Sequence, residues 1–306
     1  MTTPRHSFVS TSLGRLHVQR GTGAAGPATS STGAAGPATS STGAAGPATS
    51  STGPTAILWH SLFIDSRSWG PLIDALSRYR SVIAIDGPSH GKSEAVGRDF
   101  SYAECVTAAG EALDGLGISE PVDWVGNAWG GHVGLQLAGA DPHRIRTLTT
   151  IGTPVQSLSA RERWTMAWPL VQLYRVAGPT GFLTEALSDA LMGPEAVAAQ
   201  PDQAADIIDS FRSADRRAMF HAMRSMMLHR PHLGPLLPRI TAPTLMLAAR
   251  DDAMGWQPSD AQVAVAGMPD VRAGVVAGTG HVSPLLLDAD LIEESVIGFW
   301  NAIQRA

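Results

Sequence analysis

Three positions in the sequence have the residue types and surroundings that acyl-transfer chemistry needs. Residues 126–131 (Gly-Asn-Ala-Trp-Gly-Gly) follow a short apolar run, and glycines on both sides of Ala128 allow a sharp turn into a helix. This is the strand–turn–helix setting of a G-x-S-x-G nucleophile, but its central position holds alanine, which has no oxygen. Asp252 and His281 follow later apolar runs, and a histidine held by a carboxylate is the base that activates a serine hydroxyl.

The stretches that would position these residues alternate between strand and helix patterns. Short apolar runs predict strands at 55–60, 81–86, 121–126, 146–152, 243–249 and 271–277, after a two-stranded hairpin over 6–20. Helical spacing predicts helices at 69–79, 101–116, 129–140, 259–266 and 285–303. This alternation predicts an α/β fold with a mostly parallel eight-stranded sheet and helices on both faces. Ligands bind outside the carboxyl ends of such strands, so Ala128, Asp252 and His281 are expected at one edge.

Between 157 and 238 the pattern changes to helices only. A methionine series recurs there at helical spacing: Met219, Met223, Met226 and Met227. Such a series is typical of buried packing, but methionines also line adaptable apolar pockets, so both roles stay open. Prolines predict that the region is divided into short helices: Pro169, Pro179, Pro194, Pro201 and Pro231. The sequence therefore predicts a core formed by 1–156 and 239–306, with residues 157–238 inserted as a helical cap.

A repeat occupies 22–52. The ten residues 22–31 recur unchanged at 32–41 and 42–51, and they contain only Gly, Ala, Pro, Ser and Thr. Such residues cannot bury enough surface to offset the entropy of the chain, which favours a flexible surface loop. The alternative is an ordered arm used in self-association, so a homo-oligomer stays open.

Composition argues against several partners. A net charge of −5 without a long basic run argues against nucleic acid. No apolar run has membrane-spanning length and no signal peptide is visible, so no membrane partner is expected. Cys105 is the single cysteine, which rules out an intrachain disulfide and fits a cytoplasmic location; its helical context predicts a buried hydrophobe. No cluster has zinc-ligand spacing, so we predict no metal and no cofactor.

Five motifs, taken together and in this order, resemble those of the α/β-hydrolase family. They are His60-Ser61-Leu62, residues 86–93 (Asp-Gly-Pro-Ser-His-Gly-Lys-Ser), residues 126–131, Arg250-Asp251-Asp252 and Gly278-Thr279-Gly280-His281. The resemblance covers nearly the whole chain outside 22–52. It implies the order nucleophile, acid, histidine along the chain. The chain departs from the family at the first turn, where Ser61 replaces the usual glycine.

The resemblance also implies roles for particular residues. Asp252, rather than Asp251, is expected to orient His281. The backbone N–H groups of Leu62 and Trp129 are expected to form the oxyanion hole. Two further histidines, His60 and His90, are expected to be structural.

Ala128 allows three interpretations. The chain is a serine hydrolase whose nucleophile has been replaced, a natural non-catalytic ligand-binding relative, or an Asp-nucleophile enzyme with its Asp replaced. The last group includes haloalkane dehalogenases and epoxide hydrolases, which this turn resembles through Trp129. Retention of Asp252 and His281 favours a hydrolase over a binder, and Asn127 favours the serine type over the Asp type.

The aromatic and methionine-rich cap suits a bulky apolar ester or lactone. Within the family the chain is similar to the actinobacterial zearalenone lactone hydrolases, which open a macrocyclic resorcylic lactone. The resemblance implies an acyl-enzyme mechanism without cofactor. We expect substrate contacts from Ser61, Phe63, Trp164, Trp168, Met219, Phe220 and Met223.

Overall fold

The computed structural model describes residues 5–22, 53–253 and 255–305. The predicted repeat loop, apart from Thr22, lies outside these residues. The strands are β1 (Arg5–Thr11), β2 (Gly14–Arg20), β3 (Thr55–Trp59), β4 (Ser81–Ile85), β5 (Val122–Asn127), β6 (Ile145–Ile151), β7 (Thr244–Ala249) and β8 (Val271–Val276). They form one sheet in the order β1-β2-β4-β3-β5-β6-β7-β8. β1 and β2 form the predicted hairpin, β2 is antiparallel to β4, and all other neighbours are parallel.

The predicted fold is confirmed, because helices cover both sides of this mostly parallel sheet. The first three are α1 (Leu72–Ser77), α2 (Tyr102–Gly115) and α3 (Trp129–Ala140). Ser101 caps α2 by accepting the Glu104 N–H, and the Glu104 carboxylate accepts the Ser101 N–H in return. Cys105 in α2 is fully buried, as predicted, and burial raises the pKa of its thiol.

Between β6 and β7 the described chain contains helices and no strand. They are α4 (Ala160–Glu162), α5 (Trp168–Ala177), α6 (Gly181–Leu191), α7 (Gly193–Ala199), α8 (Pro201–Ser213) and α9 (Arg216–Ala222). We use the name cap for residues 157–238. Pro179, Pro194, Pro201 and Pro231 lie at or near helix ends, as expected. Pro169, against the prediction, does not separate two helices. A π-helical turn over Arg163–Ala167 joins α4 to α5, and Pro169 lies in the first turn of α5.

The C-terminal helical region differs from the prediction of one helix over 285–303. It contains α11 (Pro284–Leu287) and α12 (Ala289–Gln304), which follow α10 (Pro258–Val265). The break lies at Asp288, whose φ of −129° and ψ of 29° are not helical. Its carboxylate accepts the N–H of Ala277 just after β8, a contact that a residue inside a continuous helix would not be placed to make. Within the described residues, no helix has the length and apolar character needed to cross a membrane.

The parallel register places the ends of β5, β7 and β8 at one edge of the sheet. Ala128 follows β5 directly, Asp252 lies three residues after the end of β7, and His281 lies five after β8. The fold therefore brings the three predicted triad positions to the same edge.

Candidate active site

Ala128 lies in a strained turn between β5 and α3. Its φ of 45° and ψ of −101° fall in a region that residues with a side chain rarely adopt. The turn is held from both sides, because the Ala128 N–H donates to Ile151 O at 2.9 Å and the His132 N–H donates to Ala128 O at 3.0 Å. This is the backbone geometry expected of a nucleophile elbow.

Glycines permit the close packing around this turn. A Cβ at Gly126 would lie 2.3 Å from the carbonyl carbon and oxygen of Gly130. A Cβ at Gly130 would lie 1.9 Å from Trp59 O in β3. Neither backbone group can move away cheaply, so the glycines of the motif are required by contact distance rather than by chain flexibility.

His281 and Asp252 form a buried pair. Nδ1 of His281 lies 2.6 Å from Oδ2 of Asp252, and Asp252 is 1% exposed. The Asp252 carbonyl accepts the side-chain amide of Gln257 at 2.6 Å, which secures the loop after β7. Asp251 is exposed. With Nδ1 held by the carboxylate, Nε2 is the ring nitrogen left to exchange a proton.

The histidine loop is joined to the turn at Ala128 by Asn127. The side-chain NH₂ of Asn127 donates to His281 O at 2.7 Å and to Ile151 O at 3.0 Å. Gly152 permits this approach, since its φ is 56° and a Cβ there would lie 2.9 Å from His281 O. The backbone of His281 is therefore fixed against the residue that precedes Ala128.

Two backbone N–H groups remain candidates for an oxyanion hole. The Gly130 N–H donates to His60 O at 3.1 Å, which draws the loop after β3 against the start of α3. Trp129 is the first residue of α3, so its N–H has no partner within the helix. In the loop after β3, the Phe63 N–H donates to Nε2 of His90 at 3.2 Å. The neighbouring Leu62 N–H and the Trp129 N–H are the pair that the sequence predicts, and that role stays a prediction.

His60 and His90 act as structural supports. Nδ1 of His60 bonds the Ser61 carbonyl at 2.6 Å, and its Nε2 accepts the Gly87 N–H at 2.8 Å. His90 uses Nδ1 on the Pro88 carbonyl. Burial lowers the pKa of both rings, that of His90 to about 3. Both imidazoles are therefore neutral and have each ring nitrogen occupied, which agrees with the structural role expected for them.

Asp86 organises the loop after β4. Its carboxylate accepts the N–H groups of Ser66 and Lys92 and contacts Nδ1 of His17 at 2.7 Å. Burial alone would raise the pKa of Asp86, but the hydrogen bond from His17 and these N–H groups lower it overall. The motif at 86–93 is therefore a loop support.

The cap contacts the histidine loop directly. The N–H groups of Val282 and Ser283 both donate to Leu191 O, each at 3.0 Å. Gly280 allows this approach, because a Cβ there would lie 2.4 Å from the same oxygen. Movement of the C-terminal end of α6 would therefore move the segment that carries His281.

The structure separates the predicted substrate residues into two groups. Ser61 and Phe63 are buried in the loop after β3, where the Phe63 ring makes an edge contact with Phe211 of the cap, centroid to centroid 5.7 Å. Trp164 and Trp168 are 62% and 44% exposed on the cap. They line a surface cavity of about 340 Å³ whose lining includes none of the three triad positions.

The remaining predicted contacts lie within the cap. Met219 and Met223 are buried. Of the two roles considered for the methionine series, packing and pocket lining, their burial agrees with packing. The ring of Phe220 has the guanidinium groups of Arg175 and Arg224 at 5.5 Å and 5.7 Å from its centroid. For all these residues a part in substrate binding stays a prediction.

Sequence reasoning did not identify how Asn127, Gln257 and Leu191 hold the loops that carry Ala128, Asp252 and His281. Asn127 could have been suspected from its place beside Ala128. Leu191 contributes a backbone carbonyl, for which no sequence signal exists, and the Gln257 contact depends on how its loop folds back.

A mostly parallel sheet, a strained strand–helix turn and a buried Asp–His pair at the carboxyl edge define a class of α/β enzymes that cleave bonds with water. The chain belongs to the alpha/beta hydrolase family, whose model matches residues 56–294. This finding supports hydrolase activity as the general function of the fold and its site.

Comparisons with individual proteins agree. A protein of Stutzerimonas stutzeri named as the carbamate hydrolase RutD is 30% identical over 241 residues, covering 75% of this chain and 85% of that protein. The fold is also that of the enol-lactonase from Burkholderia xenovorans LB400, with a TM-score of 0.78, 20% identity, and coverage of 96% and 100% of the two chains. A thermophilic esterase from Thermogutta terrifontis has a TM-score of 0.79 at 19% identity, with coverage of 98% and 99%.

Proposed function

We propose that this chain is a hydrolase of carboxylic esters and lactones in which position 128 holds a methyl group in place of a serine hydroxyl. The observation that supports this most is the 2.6 Å contact between His281 and Asp252 at the sheet edge that holds the strained turn at Ala128. A histidine held in one tautomer by a buried carboxylate is the base that a serine nucleophile needs. The relative named as a carbamate hydrolase also supports hydrolysis at a carbonyl carbon.

In the proposed reaction, Nε2 of His281 accepts the proton of a hydroxyl at position 128 as its oxygen attacks the carbonyl carbon. The negative oxygen of the tetrahedral intermediate receives hydrogen bonds from the Leu62 and Trp129 N–H groups. The intermediate collapses to an acyl-enzyme, and His281 gives its proton to the departing alkoxide. Water, activated by the same nitrogen, then releases the acid.

The proposed substrate is a bulky macrocyclic lactone of the zearalenone type. The resemblance to the lactone hydrolases and the aromatic and methionine-rich cap support it. For a lactone, the alcohol and the acid remain in one molecule, so the product is a ring-opened hydroxy acid. The cytoplasmic location, suggested by the single cysteine, is part of this proposal.

Ala128→Ser tests the proposal. We expect it to hydrolyse aryl esters and lactones, with a pH dependence that reports the deprotonation of one imidazole. Ala128→Gly is the matched control, because it changes the same position without adding an oxygen, and it should stay inactive. The proposal is wrong if Ala128→Ser folds and hydrolyses neither aryl esters nor lactones.

A binding protein is the second candidate, since position 128 has no nucleophile in this chain. If the chain is a binding protein, we expect the unaltered chain to bind a small apolar ligand tightly and Ala128→Ser to show no hydrolysis. The third interpretation, an Asp-type enzyme, predicts instead that Ala128→Asp forms a covalent intermediate with a haloalkane or an epoxide. Mass spectrometry of each variant after a single turnover separates these outcomes.

A further inference from the structure

Three polar side-chain atoms near the base of the cap are buried without a hydrogen-bond partner in the part of the chain that the structure describes. They are Nε of Arg230, Nε of Arg163 and Oε1 of Gln156. Buried donors and acceptors without partners cost free energy, and native proteins leave few of them. Two cationic donors and one acceptor are therefore available to hydrogen-bond a ligand.

Contacts between loops place the segments of Arg230 and Gln156 beside the helix that begins after Ala128. The Leu233 N–H donates to Val155 O at 2.7 Å, so the segment containing Arg230 packs against the loop that contains Gln156. The residue before Val155, Pro154, accepts a hydrogen bond from Nε2 of His132 at 2.6 Å. His132 lies one helical turn after Ala128 in α3.

Electrostatic effects agree with this placement. Burial lowers the pKa of Arg230, while the charges of Glu162 and Asp252 act in the opposite direction. Burial also lowers the pKa of His132, to about 3, and the charges of Arg230 and His281 add to that effect. Arg230 is therefore within electrostatic range of the triad acid, and Glu162, the neighbour of Arg163, is within range of Arg230.

We propose that Arg230, with Arg163 and Gln156, binds an anionic oxygen of the substrate, so that the preferred esters and lactones carry a carboxylate or an acidic phenol. A guanidinium forms its strongest hydrogen bonds with anionic oxygens. These hydrogen bonds are stronger when the guanidinium is half-buried, because water competes less for it. The Gln156 acceptor suits a neighbouring hydroxyl group. This inference rests on the proposed function, since it specifies the substrate of the same site.

Binding to the unaltered chain gives the first test, because an intact ester is not consumed when position 128 is alanine. Isothermal titration calorimetry compares monomethyl isophthalate, which has one carboxylate, with dimethyl isophthalate, which is neutral and of similar shape. Methyl 2,4-dihydroxybenzoate tests the phenol separately from the carboxylate. We expect one or both of the acidic ligands to bind at least tenfold more tightly than the neutral diester. If both acidic ligands bind no more tightly than the neutral diester, the inference is wrong.

Arg230→Gln gives the second test. It should weaken binding of the acidic ligand about 10- to 100-fold and leave the neutral diester unchanged, because only a charge-assisted contact is lost. Arg239→Gln is the matched control, since it removes the same charge from an exposed residue of the same segment, and it should change neither. Equal weakening of acidic and neutral ligands indicates a structural role and overturns the inference. Arg230→Lys provides the comparison if the glutamine variant does not fold, and it should retain part of the preference.

The outcomes distinguish this inference from the proposed function. If Ala128→Ser hydrolyses neutral and acidic esters alike, the hydrolase proposal stands and the anion site is wrong. If Ala128→Ser is inert while the binding preference depends on Arg230, the anion site stands and the chain is a binding protein.

Discussion

Replacing Gly280 with alanine tests whether the cap positions His281, the proposed catalytic base. A Cβ at position 280 would lie 2.4 Å from Leu191 O and 2.5 Å from Ala190 O, whereas ordinary contacts begin at 3.4 Å. The histidine loop or the end of α6 must therefore move by about 1 Å, the difference between the shortest of these distances and an ordinary contact. His281 follows Gly280 directly, so the displacement reaches its imidazole.

A misplacement of about 1 Å can reduce an enzymatic rate about 100-fold. We therefore expect kcat/KM of the Ala128→Ser, Gly280→Ala double variant to be about 100-fold below that of Ala128→Ser, equivalent to about 2.7 kcal/mol in activation free energy. The loss should lie mainly in kcat, because His281 acts in the transition state and not in ground-state binding. Steady-state hydrolysis of an aryl ester measures both constants.

Gly298→Ala is the control, since a Cβ at that position in α12 meets nothing within 4 Å. It should leave kcat unchanged and stabilise the helix by up to about 1 kcal/mol. In the unaltered chain, Gly280→Ala should shift the imidazole NMR signals of His281, which gives a readout independent of activity. A folded Gly280→Ala variant with kcat within about twofold of its parent, and unshifted signals, would show that the contact between Leu191 and the loop does not set the position of His281.

Two further predictions concern protonation. In the Ala128→Ser background, Asp252→Asn should lower kcat by about 10⁴-fold, the loss found for the corresponding Asp of a serine protease, because the amide stabilises the wrong tautomer of His281; a loss under tenfold in pre-steady-state assays would contradict the assigned role. The buried imidazoles of His90 and His132 have pKa values lowered from 6.5 to about 3 in the folded state. Below pH 6.5 the unfolded chain binds protons at these rings that the folded chain does not. As the pH is lowered from 6.5 towards 3, the free energy of unfolding should therefore fall by up to about 1.4 kcal/mol per pH unit for each ring. Urea unfolding at pH 7, 6 and 5 measures this, and a flat profile would refute it.

Much of the fold could be predicted because its signals are local. Apolar runs, helical spacing and glycines identified every strand of the sheet and the turn at Ala128 from residues adjacent in the chain. Two predictions about the helices were wrong. The last helical segment is divided at Asp288, whose carboxylate accepts the Ala277 N–H, and Pro169 fits within a helix because a π turn precedes it.

The sequence by itself determined the order of the elements and the types of residue at the carboxyl ends of the strands, because these depend on periodicity and turn geometry. Only the tertiary structure decided which of those residues touch. Asn127 bonds a carbonyl 154 positions away in sequence, and the histidine loop bonds a carbonyl of the cap. Such contacts leave no periodic signal, since they depend on how separate segments pack and on backbone atoms that every residue shares. Likewise, the missing partners of Arg230 and Arg163 became evident only once the burial of each donor was known.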